Sequence, residues 1–272
     1  MKSLREKYPI KNLCEVVGIS RSSYYKWLKR KPSKDEQKLK QLKKNISEVY
    51  HQHKGIYGYR RITIYLNHYK KMKVNHKCVY RLMSLMGLKA VIRRRRYNYR
   101  PSKAIHVSEN LLDRKFTANK AYQKLLTDVT EFQLTNGQKA YLSAVLDLGT
   151  NQIVAYQLGH SNNNSLVLNT FKQIRSKLIA NETLIHSDRG YQYTSYAFAQ
   201  FIKDTQAIQS MSRVGKCIDN GPMENFFGIL KSELYYLNKY DTFDNLTNDI
   251  NQYIDFFNTK RVTLKMGLAI PA

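Results

Sequence analysis

Positive charge is crowded into the first hundred residues, and that crowding limits what they can fold into without a polyanion to offset it. Residues 1–100 carry 28 Lys+Arg against 5 Asp+Glu, a balance of +23, whereas residues 101–272 carry 18 against 15, a balance of +3. A dense basic half joined to a nearly neutral half reads as an arm that holds a polyanion beside a domain with another task. The interleaved tyrosines, 21 in the chain, suit phosphate contacts combined with stacking on bases. With 272 residues and 42% hydrophobic side chains, the chain can bury a core and is expected to form two or three modules. No stretch approaches 18 consecutive apolar residues, and Met1-Lys2-Ser3-Leu4-Arg5 lacks an apolar signal core. Neither a membrane span nor secretion is therefore expected. Cys14, Cys78 and Cys217 are odd in number and widely spaced, which argues against a disulfide framework and for inert thiols in a reducing cytoplasm.

Residues 9–30 read as two short helices around a tight turn. Ile10, Leu13, Val16 and Val17 share one helical face, Gly18 supplies the turn, and Ser20 is an N-cap candidate. As a helix-turn-helix, this segment would present Arg21, Ser22, Ser23, Tyr25 and Lys26 to DNA; as an ordinary helical hairpin, it would present a solvated basic face. A Lys-rich helix is expected over residues 34–53. Gly55 and Gly58 then break the chain before a second helical pair, with an apolar stripe at Ile62, Tyr65 and Leu66 in the first helix. Asn75 caps the second, which carries Val79, Leu82, Met83 and Met86 and is closed by Gly87. Arg93, Arg94, Arg95 and Arg96 open a basic linker ordered by contact with nucleic acid.

From about residue 121 the periodicity changes. Strands are expected at Leu125–Phe132, Tyr141–Leu148, Ile153–Leu158, Thr183–His186 and Ala207–Met211. Helices are expected at Asn163–Leu178, Ser195–Lys203, about 222–237 and 243–258. Three strands in antiparallel sequence followed by alternating helix and strand make an α/β domain with a mixed sheet.

Acids are few in this half, so their positions are informative. Asp128 lies within an apolar strand, Asp188 just beyond another, and Glu224 opens a helix. A lone buried carboxylate is costly, so Asp128 must be paired, protonated or metal-bound. Three carboxylates from two strands and a facing helix could gather hard cations, Mg²⁺ foremost. They could equally be a strand-edge residue, a turn residue and a first-turn helix acid.

The flanking motifs weigh on that choice. With Thr127-Asp128-Val129-Thr130-Glu131-Phe132, His186-Ser187-Asp188-Arg189-Gly190-Tyr191 and Asp219-Asn220-Gly221-Pro222-Met223-Glu224-Asn225-Phe226-Phe227, the chain closely resembles bacterial insertion-sequence transposases with a retroviral-integrase-like core. The likeness is to the larger, catalytic product (OrfB) of insertion sequence family three. It extends over Ile19–Trp27, Gly58-Tyr59-Arg60-Arg61 and Asn258-Thr259-Lys260-Arg261. The resemblance implies a ribonuclease-H-like core with an all-α, helix-turn-helix-like DNA-binding region before it. Asp128, Asp188 and Glu224, separated by 59 and 35 residues, match the family's metal-binding acids. Lys231, seven positions after Glu224, matches a basic residue that would hold a phosphate on the same helical face. Mg²⁺, with Mn²⁺ as a substitute, is the implied cofactor.

Double-stranded DNA, the smaller upstream product (OrfA) and further copies of the chain on DNA are the implied partners, at the nucleoid in the cytoplasm. Arg60, Arg61 and Arg189 join Arg21, Ser22, Tyr25, Lys26 and Arg93 to Arg96 as expected DNA contacts. Expected boundaries are 1–53 and 54–92 for the helical modules, 93–120 for the linker and 121–272 for the catalytic core. Leu125 departs from the family, which usually has tryptophan there. Pro271-Ala272 stands a few residues before the family's usual end, so the last helix is expected to fray. The DNA-end-recognition domain of the upstream product has no counterpart in this sequence.

Other chemistry fits poorly. His51 and His53 with Cys14 or Cys78 lack zinc-knuckle spacing, and no phosphate-cradling Gly-x-x-x-x-Gly-Lys motif occurs. Asp147 and Glu131 read as structural or as neighbours supporting the site acids, Asp219 and Asn220 as caps of the Glu224 helix, and His186 and Arg189 either as phosphate contacts or as props for the Asp188 loop. A repressor without catalysis and a ribonuclease-H-type nuclease that never joins strands are the competing functions. The retained acids weigh against the first, and Lys231 with the basic arm against the second.

Overall fold

The computed structural model describes residues 7–91, 108–213 and 217–261. Arg93, Arg94, Arg95, Arg96 and Pro271-Ala272 lie outside the described residues. Helices α1 (Ile10–Val17) and α2 (Arg21–Lys29) form the expected hairpin. Gly18 takes φ 71°, a left-handed turn that glycine adopts without steric penalty, and the Ser20 hydroxyl accepts the Ser23 N–H. The expected apolar face is only partly inward: Ile10 and Leu13 are half-buried and Val16 and Val17 exposed, while Cys14 and Tyr24 are the buried residues of the pair.

Helix α3 (Lys34–Gln52) starts on a Ser33/Glu36 capping box, followed by α4 (Tyr59–His68) and α5 (His76–Leu85), the latter capped by Asn75. Leu42, Ile46 and Val49 of α3 pack against Tyr57, Ile62, Leu66, Val79, Leu82 and Met83. This shared core crosses residue 53, so α3 packs with α4 and α5 as one unit. Among the described residues, no helix is long and apolar enough to cross a membrane.

The core is a five-stranded sheet, ordered β3-β2-β1-β4-β5, from β1 (Lys124–Gln133), β2 (Lys139–Asp147), β3 (Ile153–Gly159), β4 (Leu184–Ser187) and β5 (Ile208–Met211). The first three strands form an antiparallel meander, while β1–β4 and β4–β5 are parallel. That mixed topology is the expected ribonuclease-H-like arrangement. Helices α6 (Asn164–Lys172) and α7 (Tyr196–Thr205) cover one face, with Leu125, Val145, Phe171, Ile185 and Phe198 between the layers. Helices α8 (Gly221–Glu233) and α9 (Phe243–Thr259) cover the other, over Leu126, Phe132, Leu142, Phe226 and Ile254.

Two helices end sooner than periodicity suggests. Residues 175–177 and 235–237 form 3-10 turns after α6 and α8, returning Ile174 and Tyr235 to the core. Leu125, where tryptophan is usual, is fully buried beneath the α6–α7 layer, so the smaller side chain is accommodated by packing.

Candidate active site

Asp128 and Asp188 come level through strand register. β1 and β4 pair in parallel at Lys124↔Leu184, Leu125↔Ile185 and Leu126↔His186. Extending that offset sets Asp128 opposite Asp188, two residues beyond the last pair. The chain leaves β1 toward β2 on one side and β4 toward β5 on the other. A crevice opens beyond strand ends at such a switch point. Side-chain alternation puts Asp128 on the same sheet face as Leu126 and Phe132, the face that α8 covers.

Backbone groups hold one oxygen of each aspartate. Asp128 Oδ1 accepts the Val129 N–H at 2.7 Å, and Asp188 Oδ1 accepts the Gly190 N–H at 2.8 Å. A Cβ on residue 190 would stand 2.9 Å from that Asp188 oxygen, so glycine permits the close approach. Asp128 is half-buried, and Asp188 presents surface to solvent. Removal from water, then the neighbouring charges of Asp188 and Glu224, push the Asp128 carboxyl up to about 8; the Val129 N–H and Lys231 act in the opposite direction. Burial also raises the Asp188 carboxyl despite the surface it exposes, because protein surrounds its inner side. The Gly190 N–H opposes that rise.

Helix α8 brings the third acid. Met223, Phe226, Phe227 and Leu230 anchor its buried face, leaving Glu224 half-buried in the first turn. Asn220 Nδ2 donates to the Thr127 carbonyl at 3.1 Å, tying the start of α8 to β1 beside Asp128. Lys231 lies two turns along, its ammonium 5.2 Å from the centre of the Phe132 ring. Burial lowers its pKa, opposed by Glu131 and Asp128. Among the described residues, no three His, Cys, Asp or Glu side chains stand close enough together to hold a metal ion. The carboxylates influence one another electrostatically without forming a closed coordination group.

Several neighbours support the site rather than enter it. His186 is buried between the Ser210 and Ser212 hydroxyls at 2.9 and 3.1 Å, and burial brings its pKa to about 4. It is thus a neutral prop of the Asp188 strand. Arg189 Nε donates to the Ser212 carbonyl, bracing the same loop. Asp147 accepts the Gly149 and Tyr122 N–H groups, and Glu131 pairs with Lys139 while its charge also acts on Lys231. Asn220 stands at the N-cap position of α8 but makes no side-chain capping bond, its amide reaching β1 instead, and Asp219 does not cap: it is buried against Arg213, Arg114 and Asn110. Stronger charged donors claim Asp219, and hydrogen bonding from Arg213 holds its carboxyl well below the usual range despite burial.

The expected DNA contacts separate into two groups. Arg21, Ser22, Tyr25 and Lys26 are exposed along α2, and exposed Arg60 lies over the Tyr59 ring. Arg61 instead pairs with the buried Glu233 at 3.2 Å. Lys77, Tyr80 and Arg81, exposed on α5 opposite buried Val79, Leu82 and Met83, were not singled out. Their spacing against the apolar stripe carries that signal in the sequence.

Comparison with known proteins agrees with this layout. An HTH-like domain matches residues 36–96, and two integrase core domain models match residues 118–217 and 224–270. The chain is 39% identical over 267 residues to the putative transposase InsK for insertion sequence element IS150 of Escherichia coli, covering 98% of this chain and 93% of that one. It is 35% identical to the transposase for insertion sequence element IS904 of Lactococcus lactis, covering 86% and 92% of the two. The HTLV-2 integrase catalytic core domain in complex with magnesium matches at a TM-score of 0.41 and 20% identity, over 52% of this chain and 88% of that one. Near-full-length identity to insertion-element transposases, an HTH-like unit and an integrase core together identify this chain as a member of the insertion-sequence transposase family, a DNA polynucleotidyl transferase.

Proposed function

We propose that Asp128, Asp188 and Glu224 hold divalent metal, with Lys231 as a phosphate-holding partner, and that this site cuts and joins DNA strands at element ends. The observation that carries the reading is the β1–β4 register, which sets Asp128 level with Asp188 while Glu224 stands in the first turn of α8 over the same sheet face. Burial and that crowding push the Asp128 carboxyl up. Such repulsion is relieved by a hard cation, and an all-carboxylate donor set suits one. The fit is therefore one of donor chemistry. Magnesium, or manganese in its place, supplies when bound the Lewis acidity that activates a hydroxyl and stabilises the departing oxygen.

The chain's own residues orient the rest. Asp128 on β1 and Asp188 beyond β4 face the scissile phosphate from the sheet, and Glu224 closes the site from α8. Lys231 steadies a non-bridging phosphate oxygen as a compact point charge. Water attacks in line at the element end, the 3′ oxygen leaves, and that 3′ hydroxyl then attacks a second phosphodiester, so no covalent enzyme intermediate forms. Helices α1 and α2 and the α3–α5 unit bind terminal repeats, with Arg21, Ser22, Tyr25, Lys26 and Arg60 on the DNA side. The expected boundary at residue 53 falls inside the α3–α5 unit, and the catalytic core begins before residue 121, since Leu112 is already buried in it. The upstream product of the element supplies end recognition, and copies of the chain assemble on DNA.

The deciding assay is strand transfer on labelled element ends with added Mg²⁺, with and without the upstream product. Joined products support the proposal, whereas hydrolysis without joining in both conditions favours a plain nuclease. Lys231→Ala should lower single-turnover cleavage by about 10²-fold with the fold intact, and Lys231→Arg should retain part of it. Equal rates for wild type and Lys231→Ala would assign Lys231 to the helix surface.

Binding of end DNA should fall steeply with salt, because the +23 balance of residues 1–100 releases many counterions on phosphate contact. Between about 50 and 200 mM salt the affinity should drop by roughly 10³-fold. Equal affinity of residues 121–272 alone and of the full chain would remove the arm from the binding model.

A further inference from the structure

Helix α8 carries Glu224 and Lys231 but ends on a different carboxylate. Glu233 is 9% exposed and receives four hydrogen bonds from three parts of the chain. Arg61 of α4 donates at 3.2 Å, Arg261 donates twice at 3.0 and 2.8 Å, and Tyr253 of α9 donates at 2.7 Å. Arg61 is 172 positions from Glu233, so this carboxylate ties the helical unit directly to the far end of α8.

The surroundings make the junction stiff. Tyr57 is fully buried, its hydroxyl donates to the Lys260 carbonyl at 3.4 Å, and the Arg61 guanidinium lies 5.7 Å from the centre of its ring. The His53 ring stacks on Tyr57 at 4.0 Å and approaches Phe256 of α9 at 6.3 Å. A cation meant only for phosphate would remain in solvent, whereas Arg61 is turned inward onto a desolvated acid. A packed helix moves as a rod, and Glu233 stands nine positions after Glu224, roughly 13 Å of rise.

We propose that Arg61 and Glu233 are positioning residues: seating DNA on the helical unit sets the register of α8, and through it the placement of Glu224 and Lys231. The inference rests on reading Glu224 as a site carboxylate. It assigns Arg61 to the coupling of binding and chemistry, not to phosphate contact. A misplacement of about 1 Å at a reacting centre lowers rate by roughly 10²-fold, so a small loss of register is measurable.

The test uses the full chain and labelled element-end DNA, comparing wild type, Arg61→Met, Arg61→Lys and Glu224→Gln. Affinity, its salt slope and the single-turnover cleavage rate at saturating DNA are read separately. Arg61→Met is expected to bind within about twofold of wild type with an unchanged salt slope, yet to cleave about tenfold or more slowly. Arg61→Lys should recover part of that rate, since one donor to Glu233 survives without the planar fork.

A salt slope reduced by about one with a normal rate on saturating DNA would make Arg61 a phosphate contact and overturn the inference. Unchanged affinity and unchanged rate would overturn it equally. Should Arg61→Met fail to fold, Arg61→Lys decides alone: a slower rate at unchanged salt slope supports the coupling, and a wild-type rate overturns it. Full activity in Glu224→Gln would instead defeat the assignment of the site, whatever the Arg61 variants do.

Discussion

Asp128→Asn, Asp188→Asn and Glu224→Gln should each lower cleavage and joining by on the order of 10³-fold or more while end DNA still binds. Each removes one charge from the carboxylate set and leaves the basic helices untouched. The stability of Asp128→Asn should move in the opposite direction from its activity. The Asp128 carboxyl sits near 8 in the fold against 3.8 ordinarily, because burial and then Asp188 disfavour its charge. Without metal, the wild-type fold is therefore progressively penalised as pH rises from 3.8 through about 8. Asparagine carries no such penalty, so in chelator at pH 8 the variant should be more stable by about 1–3 kcal/mol. Added Mg²⁺ should raise the melting temperature of wild type and leave Asp128→Asn nearly unchanged. A variant that melts below wild type in chelator, or cleaves at the wild-type rate, would remove Asp128 from the acid set.

Glu233→Ala should be the most destabilising of the single acid truncations, by about 3–5 kcal/mol, because Arg261 and half-buried Arg61 are left without their anion. For a chain of this size that corresponds to a fall in melting temperature on the order of 10 °C. Burial alone would raise the Glu233 carboxyl, but Arg261, with Tyr253 and Arg61, holds it below 4.5. Its contribution is thus fully present above pH 4.5 and is lost as pH falls through the folded value. The gap between wild type and Glu233→Ala should close in acid. Glu182→Ala provides the contrast, since its partner Lys120 is 66% exposed and the pair contributes no more than about 1 kcal/mol. Similar urea midpoints for the two variants would show that the Glu233 cluster adds little.

Local chemistry was the legible part. Ser20 and Asn75 cap where their residue types suggest, and the strands follow from runs that apolar patterning marks out. Caps and periodicity depend on neighbours within a few positions, which a single sequence displays. The pairing of β1 with β4 joins residues sixty positions apart, and only the motif resemblance around Asp128 and Asp188 anticipated it. Glu233 was missed for the same reason: its partners lie on α4, α9 and beyond, and none is near in sequence. Arg61 shows how charge misleads, because a basic side chain on a basic module reads as outward until its buried acid is seen. Asp219 was misread in the opposite sense, since its position before a helix suggests a cap while two arginines hold it elsewhere.

The strand order also bears on when this polypeptide becomes complete as it is made. The β1-β2-β3 meander contains only local pairings, so it can close soon after residue 159 is joined. Its partner strand β4, bearing Asp188 just past its end, follows about thirty residues later, and Glu224 later still. Arg261, which receives the end of α8, is added 28 residues after Glu233. A nascent chain released early therefore carries the whole basic arm and folded sheet strands without a full acid set or a seated α8. Truncated products should bind element ends and occupy them without cutting, and so compete with intact copies for the same DNA.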